Sequence, residues 1–209
     1  VSGNVSLYNE TRNEGIYPTP IIGVLGLIQD VNQHVTLGFK KHGDIVIMIG
    51  DNHIKGDPNY LSGSEYLEME YDLVAGKPYI DINLELKTQK TCRKAIQQGL
   101  LNSAHDCSDG GLAIALAECC IVGGKGFQGS FSITERWDSA LFGENQSRII
   151  VSTDPDNLSE LKQLCLQEEV PWTHLGIVTG NTLSISEHVE LDIEKIGSVW
   201  QKSLENSLS

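Results

Sequence analysis

The spacing of apolar residues predicts strands and helices that alternate from about residue 44 to the end of the chain. Two apolar runs rich in β-branched residues, at positions 20–29 and 44–50, are typical of buried strands. Residues 64–74, with Ser64 as N-cap, and residues 83–101 carry apolar side chains every three or four positions, which predicts helices. The basic residues of the second helix are interpreted as a solvated face.

The second half of the chain continues this alternation. Further strands are predicted at positions 127–133 (an edge strand), 147–153, 173–179 and 182–186. The Asp154-Pro155 pair predicts a helix start, since Asp is a frequent N-cap and Pro fits the first turn. Gly180-Asn181 separates the last two strands and predicts a β-hairpin. Asp192 is expected to cap a final helix.

This order of elements predicts an α/β (α+β) fold with helices packed on a mixed sheet. The 209 residues suffice for one large domain, or for one domain and part of another. We expect residues 1–30 to be the tail of one domain and residues 31–209 to be an α/β domain. Because the chain begins at Val1 within a polar loop, we expect it to belong to a longer protein.

The stretch NSAHDCSDGGLAIALAECCIV predicts a strand, a turn and a helix that is apolar on nearly every face. Ser108 and Asp109 are frequent N-cap residues, while Gly110 and Gly111 leave backbone N–H groups uncovered at the positive end of the helix dipole. These amides could bind a phosphate.

The alternative interpretation assigns this turn no ligand. Asp106 and Asp109 would then cap a tight turn that leads into a core helix. His105 is expected to be a hydrogen-bonded structural residue. On the sequence pattern, both interpretations of the turn stay open.

Two other loops contain more polar residues and glycines than a connection requires. In residues 2–11, Gly3 would let a phosphate approach the backbone, Asn4 offers the oxygen ligand that Mg²⁺ accepts, and Ser6 could hydrogen-bond a substrate. The alternative is a frayed terminal loop. Residues 141–148 form the other loop. If this loop binds no ligand, the alternative interpretation is a capped turn with a surface ion pair.

Composition restricts the partners. The formal net charge of −13 argues against nucleic acid, because an acidic surface repels a phosphate backbone. A small phosphate ligand bridged by Mg²⁺ stays compatible with that charge. No apolar run approaches the roughly 20 residues that span a bilayer, so we expect no membrane partner, and no signal peptide is evident. The five cysteines, without a C-x-x-C pair, predict free thiols in a reducing cytoplasm.

Three stretches carry a resemblance to a known family: SGNVSLYNET with the following YPTPIIGVLGLI, then SAHDCSDGGLAIALAE, then LFGENQSRIIVS. Together they resemble the phosphoribosylformylglycinamidine synthase family, the synthetase subunit II of purine biosynthesis. The HD-x-SDGGL motif is shared with the wider aminoimidazole-ribonucleotide-synthetase-like superfamily, whereas GNVSLYNET is more specific to the synthase. The chain looks like the C-terminal portion of that protein.

The resemblance implies an ATP-dependent ligase. It would convert formylglycinamide ribonucleotide, with ammonia from glutamine, to formylglycinamidine ribonucleotide. Implied partners are a glutaminase subunit, a small accessory subunit and the N-terminal half of the enzyme. By position in the motif, Gly3 would contact ATP, Asn4 would bind Mg²⁺ and Ser6 would bind the ribonucleotide.

The other two motifs would belong to the second, pseudo-symmetric half of the family fold. There Asp106, Asp109, Gly110 and Gly111 are expected to frame an auxiliary nucleotide or phosphate site, or to be structural. Asn145 stands where the family often has Ser, which argues against a ligand role for its loop. The catalytic histidine of the family has no counterpart, so we expect the chain to be inactive alone.

Two other functions stay open. One is another kinase-like, ATP-dependent member of the superfamily, of the selenophosphate or thiamine-phosphate type, although those lack the NVSLYNET loop. The other is a non-catalytic interaction domain that holds a glutaminase or another half-enzyme.

Overall fold

The computed structural model describes residues 10–11, 14–15, 22–54 and 56–208. Strands β1 (Glu10–Thr11) and β2 (Glu14–Gly15) pair antiparallel as a separate two-stranded sheet. The predicted ligand residues Gly3, Asn4 and Ser6 lie outside the described residues.

The centre of the fold is a seven-stranded sheet with the order β4-β6-β3-β7-β5-β8-β9. Its strands are β3 (Ile45–Gly50), β4 (Ser103–Asp106), β5 (Phe127–Gly129), β6 (Arg148–Thr153), β7 (Trp172–Val178), β8 (Thr182–Ile185) and β9 (Val189–Asp192). Neighbouring strands are antiparallel except β5 and β8, which are parallel. The predicted mixed sheet is therefore confirmed.

Helices cover both faces of this sheet. They are α1 (Glu65–Tyr71), α2 (Ile82–Gln97), α3 (Gly111–Gly123), α4 (Trp137–Phe142), α5 (Leu158–Gln167) and α6 (Ile193–Leu208), with 3₁₀ turns at Pro58–Leu61 and Pro155–Asn157. Within the described residues, no helix is both long and apolar enough to cross a membrane.

The alternation of side chains along β3 explains the two helical layers. Ile47 and Ile49 pack with α2 and α5 in one core cluster. Val46 and Met48 point the other way, into a cluster with α3, α4 and the start of α6. Because both faces of β3 are buried, its sequence is a continuous apolar run rather than an alternating one.

Short polar side chains begin the helices as the sequence predicts. Ser64 accepts a hydrogen bond from the Leu67 amide at the start of α1, and Asp192 accepts one from the Lys195 amide in α6. Asp154 caps the 3₁₀ turn that leads into α5. Asp81, which the sequence analysis did not single out, caps α2 one residue earlier than predicted.

The predicted β-hairpin between residues 173–179 and 182–186 is wrong, because β7 and β8 do not pair. Strand β5 lies between β7 and β8, so it is also not the edge strand that was predicted. The backbone at Gly126 enters between them, since its N–H donates to Gly180 O and its carbonyl accepts from the Thr179 amide. A Cβ at Gly126 would lie 2.4 Å from Thr179 O, so only glycine fits there.

The predicted buried strand at positions 20–29 is also not observed in its described part. Residues 22–28 have no regular secondary structure, and Val24, Leu25 and Leu27 are almost fully exposed. A strand requires a neighbour to pair with, and within the described ranges the large sheet ends at β4 and β9 without reaching this segment. The proposed domain boundary at residue 30 stays a prediction.

Candidate functional site

Two of the polar stretches singled out in the sequence lie side by side at one end of the sheet. The turn after β4 meets the loop before β6, where the Cys107 amide donates to Arg148 O at 3.0 Å. Gly111 adopts a φ of +64°, and a Cβ there would lie 2.5 Å from Gly143 O. The contact of two glycines therefore joins stretches that are distant in sequence.

The start of α3 differs from the predicted capping. Gly110, with a φ of +75°, is the N-cap, and as a glycine it has no side chain that could bond the first turn. Ser108, Asp109 and Asp106 are exposed, and none of their side chains bonds to the first turn, which receives only a backbone bond from the Gly111 amide to Ser108 O. Because Gly110 adopts the left-handed conformation, the helix begins at Gly111, and Asp109 lies one residue before the capping position. The helix itself is largely buried, as predicted.

A carboxylate occupies the position at which the sequence predicts an anion. Glu144 Oε1 accepts from the Gly110 amide at 2.8 Å and from the Glu65 amide at 2.9 Å. The sequence analysis did not foresee this role, because the two amides are 34 and 79 residues from Glu144. That Asp106, Asp109, Gly110 and Gly111 contact a nucleotide stays a prediction.

Residues 144–147, in the loop before β6, form one wall of a cleft of about 350 Å³. The opposite walls come from residues 51–53, 59–62 and 77–84, including Tyr60 and Lys77. Asp51 Oδ2 accepts from Asn145 Nδ2 at 3.3 Å, while the buried Asn145 Oδ1 has no partner in the described part of the chain. Burial, and to a smaller extent the nearby Asp51 carboxylate, raise the pKa of Tyr60 above its ordinary value of 10.0. A cleft of this size can hold a small polar molecule.

Arg148 lies beneath this cleft and is only 2% exposed. It donates to His53 O at 2.8 Å, and its guanidinium carbon lies 5.5 Å from the centre of the Tyr60 ring. The sequence analysis gave a surface ion pair as the alternative role for residues 141–148. That alternative is wrong for Arg148, because its side chain is buried and donates to a backbone carbonyl. The reason is the strand period, since Arg148 and Ile150 share the face of β6 that α3 covers.

His105 has the structural role that was predicted for it. Its Nε2 lies 2.8 Å from Glu118 Oε2, so the histidine links β4 to α3. Its side chain is 14% exposed. A histidine held in this way fixes the position of two elements relative to each other.

The five cysteines are free, as predicted, and the structure buries all five. Burial raises the pKa of Cys92 to about 11 and that of Cys107 to about 12. Because the thiolate is the reactive form, none of these thiols is suited to act as a nucleophile.

The basic residues of α2 do not form a phosphate patch. Lys90 and Lys94 contact Glu168 at 2.8 and 2.5 Å, and Lys87 contacts Glu169 at 2.5 Å. Hydrogen bonds from Lys90 and Lys94 lower the pKa of Glu168 to about 2. These pairs tie α2 to the end of α5.

Fold and site together define a three-layer α/β domain whose polar loops form a cleft at one end of the sheet. A family model described as AIR synthase related protein, C-terminal domain, matches residues 41–188. The chain therefore belongs to this family.

Curated relatives extend the similarity to nearly the whole chain. The chain is 41% identical over 206 residues to the phosphoribosylformylglycinamidine synthase subunit PurL of Caldanaerobacter subterraneus subsp. tengcongensis, covering 96% of this chain and 27% of that protein. It is 46% identical over 182 residues to the subunit of the same name from a Synechococcus strain, covering 85% and 23%. The chain thus spans about a quarter of the length of these relatives.

Solved structures show the same fold. T. maritima PurL complexed with FGAR matches with a TM-score of 0.65 at 17% identity, covering 80% of this chain and 30% of that one. T. maritima PurL complexed with ATP matches with a TM-score of 0.60 at 15% identity, covering 80% and 28%.

Proposed function

We propose that this chain is a domain of a phosphoribosylformylglycinamidine synthase in purine biosynthesis. The observation that carries the proposal is the 41% identity over 96% of the chain to a subunit with that name. The enzyme would use ATP to phosphorylate the amide oxygen of formylglycinamide ribonucleotide. Ammonia would then displace the phosphate and form the amidine, so the enzyme would be a ligase.

In this proposal the chain contributes two kinds of residue. Gly3 would contact ATP, Asn4 would offer its side-chain oxygen to Mg²⁺, and Ser6 would hydrogen-bond the ribonucleotide. The described residues contain no group of three His, Cys, Asp or Glu side chains that could hold a metal ion. Mg²⁺ would therefore need Asn4 together with the nucleotide phosphates and residues from elsewhere in the enzyme.

The remaining residues would serve as the scaffold behind that site. The thiols have raised pKa values, and His105 is held by Glu118. The thiols are therefore unsuited to act as nucleophiles. We therefore expect the chain to be inactive without the rest of the enzyme. The implied partners are that remainder, a glutaminase subunit and a small accessory subunit, in the cytoplasm.

A non-catalytic interaction domain is the second candidate, and one observation favours it. Val24, Leu25 and Leu27 expose apolar side chains within one short segment, and Met69, Val74 and Tyr79 are exposed along another segment. Exposed apolar patches of this kind mark surfaces that a partner covers.

Titration calorimetry separates the two candidates. A synthase domain should release heat with Mg-ATP or with formylglycinamide ribonucleotide, and an Asn4→Ala variant should weaken only the magnesium-dependent part. An interaction domain should give heat with a protein partner and none with either small molecule. Heat from neither nucleotide, for the chain joined to the rest of the enzyme, would overturn the proposal.

A further inference from the structure

We infer that a row of aromatic rings on α1 and α4 is a docking surface for the rest of the synthase subunit, which would cover it with an apolar centre and a rim of Lys or Arg. The inference rests on the proposed function, because that remainder exists only in a longer synthase subunit. It concerns a surface that the proposed chemistry does not use.

Five aromatic rings follow one another across the surface of the domain. Their centres are 6.3, 5.0, 6.3 and 5.9 Å apart in the order Tyr71, Tyr66, Phe142, Trp137 and His188. These distances are those of packed aromatic pairs. The rings therefore join α1, α4 and the turn between β8 and β9 into one continuous patch, which we call the aromatic row.

Part of the aromatic row is open to solvent. Tyr71 is 59% exposed and Trp137 is 45% exposed, and Met69, three residues after Tyr66 on the same side of α1, is 80% exposed. Aromatic residues and Met are enriched at the centres of protein interfaces, and Trp and Tyr contribute much of the binding energy there. An open surface of this composition indicates a protein partner.

The charge around the aromatic row selects the kind of partner. Helix α1 and its C-cap contain no Lys or Arg and four acidic residues, namely Glu65, Glu68, Glu70 and Asp72. Arg136, beside Trp137, donates to both carboxylate oxygens of Asp138 at 3.0 and 2.5 Å, so its charge is already paired. The rim is therefore net negative, and a partner with basic side chains around an apolar centre complements it.

The same charge argues against a second copy of this chain as the partner. In a two-fold interface the same patch meets itself, so the acidic residues of α1 would face their own copies. The rest of the subunit is the better occupant. The chain covers 27% of the PurL relative from Caldanaerobacter, so most of such a subunit lies outside it. Because that portion would be covalently joined, its effective concentration would be high, and a patch of moderate size would suffice.

Hydroxyl-radical footprinting tests the inference by comparing the 209-residue chain with the same chain joined to the rest of a related synthase subunit. Joining should protect Met69, Tyr71 and Trp137 from oxidation by roughly ten-fold, since side chains at the centre of an interface lose nearly all of their accessible surface. Met48, the other methionine, is the internal control, because it is 1% exposed and should stay unlabelled in both forms.

Two variants of the joined subunit separate docking from exposure alone. Met69→Asp should abolish the protection of Tyr71 and Trp137, because a carboxylate is costly to bury at an apolar centre. Leu166→Asp is the matched control, since Leu166 is 77% exposed on α5, away from the aromatic row, and should leave the protection unchanged. This comparison uses only the joined subunit, so it stays decisive if labelling of Met48 shows that the isolated chain is unfolded.

The inference is overturned if Met69 is labelled equally in both folded forms, or if Met69→Asp and Leu166→Asp have the same effect. Protection that rises with the concentration of the isolated chain would assign the surface to a second copy. Protection that appears only with an added glutaminase subunit would assign it to that subunit, and both results contradict the inference. Failure of the proposed function has a different readout, namely a joined subunit that shows the protection but no ATP-dependent turnover.

Discussion

Replacing Gly111 by alanine should destabilise the domain by about 3 kcal/mol. Gly111 has a φ of +64°, and an alanine held in this left-handed conformation costs roughly 1 kcal/mol. The added Cβ would lie 2.5 Å from Gly143 O and 3.0 Å from Leu141 O. Both are backbone atoms of the turn at the end of α4, so moving them adds roughly 2 kcal/mol of overpacking.

Gly99→Ala separates the two contributions. Gly99 has a φ of +69°, and a Cβ there would meet no atom within 4 Å. This variant should therefore lose only the roughly 1 kcal/mol of backbone strain. Urea unfolding followed by circular dichroism measures the free energy of unfolding of both variants. The larger loss, that of Gly111→Ala, should also lower the melting temperature by roughly 6–12 °C. Equal losses for Gly111→Ala and Gly99→Ala would refute the close contact between the turn and the loop.

Two further predictions concern charge and thiols. Because the pKa of Glu168 is lowered from 4.5 to about 2, its stabilising effect should be complete above pH 4.5 and be lost as the pH falls toward 2. Glu168→Gln should remove that part of the acid dependence of the urea midpoint, and an unchanged profile would contradict it. The five buried thiols should not react with a disulfide reagent at pH 8 until the chain unfolds, and rapid reaction of Cys107 in the folded chain would contradict its burial.

The sequence predicted the elements that depend on local chemistry. Ser64, Asp154 and Asp192 cap helices where expected, because capping involves residues within one turn. The continuous apolar run of β3 likewise identified a strand buried on both faces.

What the sequence missed depends on contacts between distant segments. Gly180-Asn181 determines a turn but not which strand lies beside it, and β5 enters the gap because Gly126 has no side chain. For the site, the glycines at positions 110 and 111 correctly indicated a helix start, but both amides are engaged within the chain, that of Gly110 by Glu144 and that of Gly111 by Ser108 O. That Glu144 would reach the amides of Gly110 and Glu65 could not be predicted, since no local spacing connects residues 34 and 79 positions apart.

Reconstitution tests the central claim most directly, namely that this chain is a domain of the synthase. The chain would be mixed with the remaining portion of a related synthase subunit, and ATP-dependent formation of formylglycinamidine ribonucleotide would be followed with ammonia as the nitrogen donor. We predict no turnover from either part alone, turnover from the mixture, and its loss with Asn4→Ala. Turnover by the 209 residues alone, or a stable complex without any turnover, would contradict the claim.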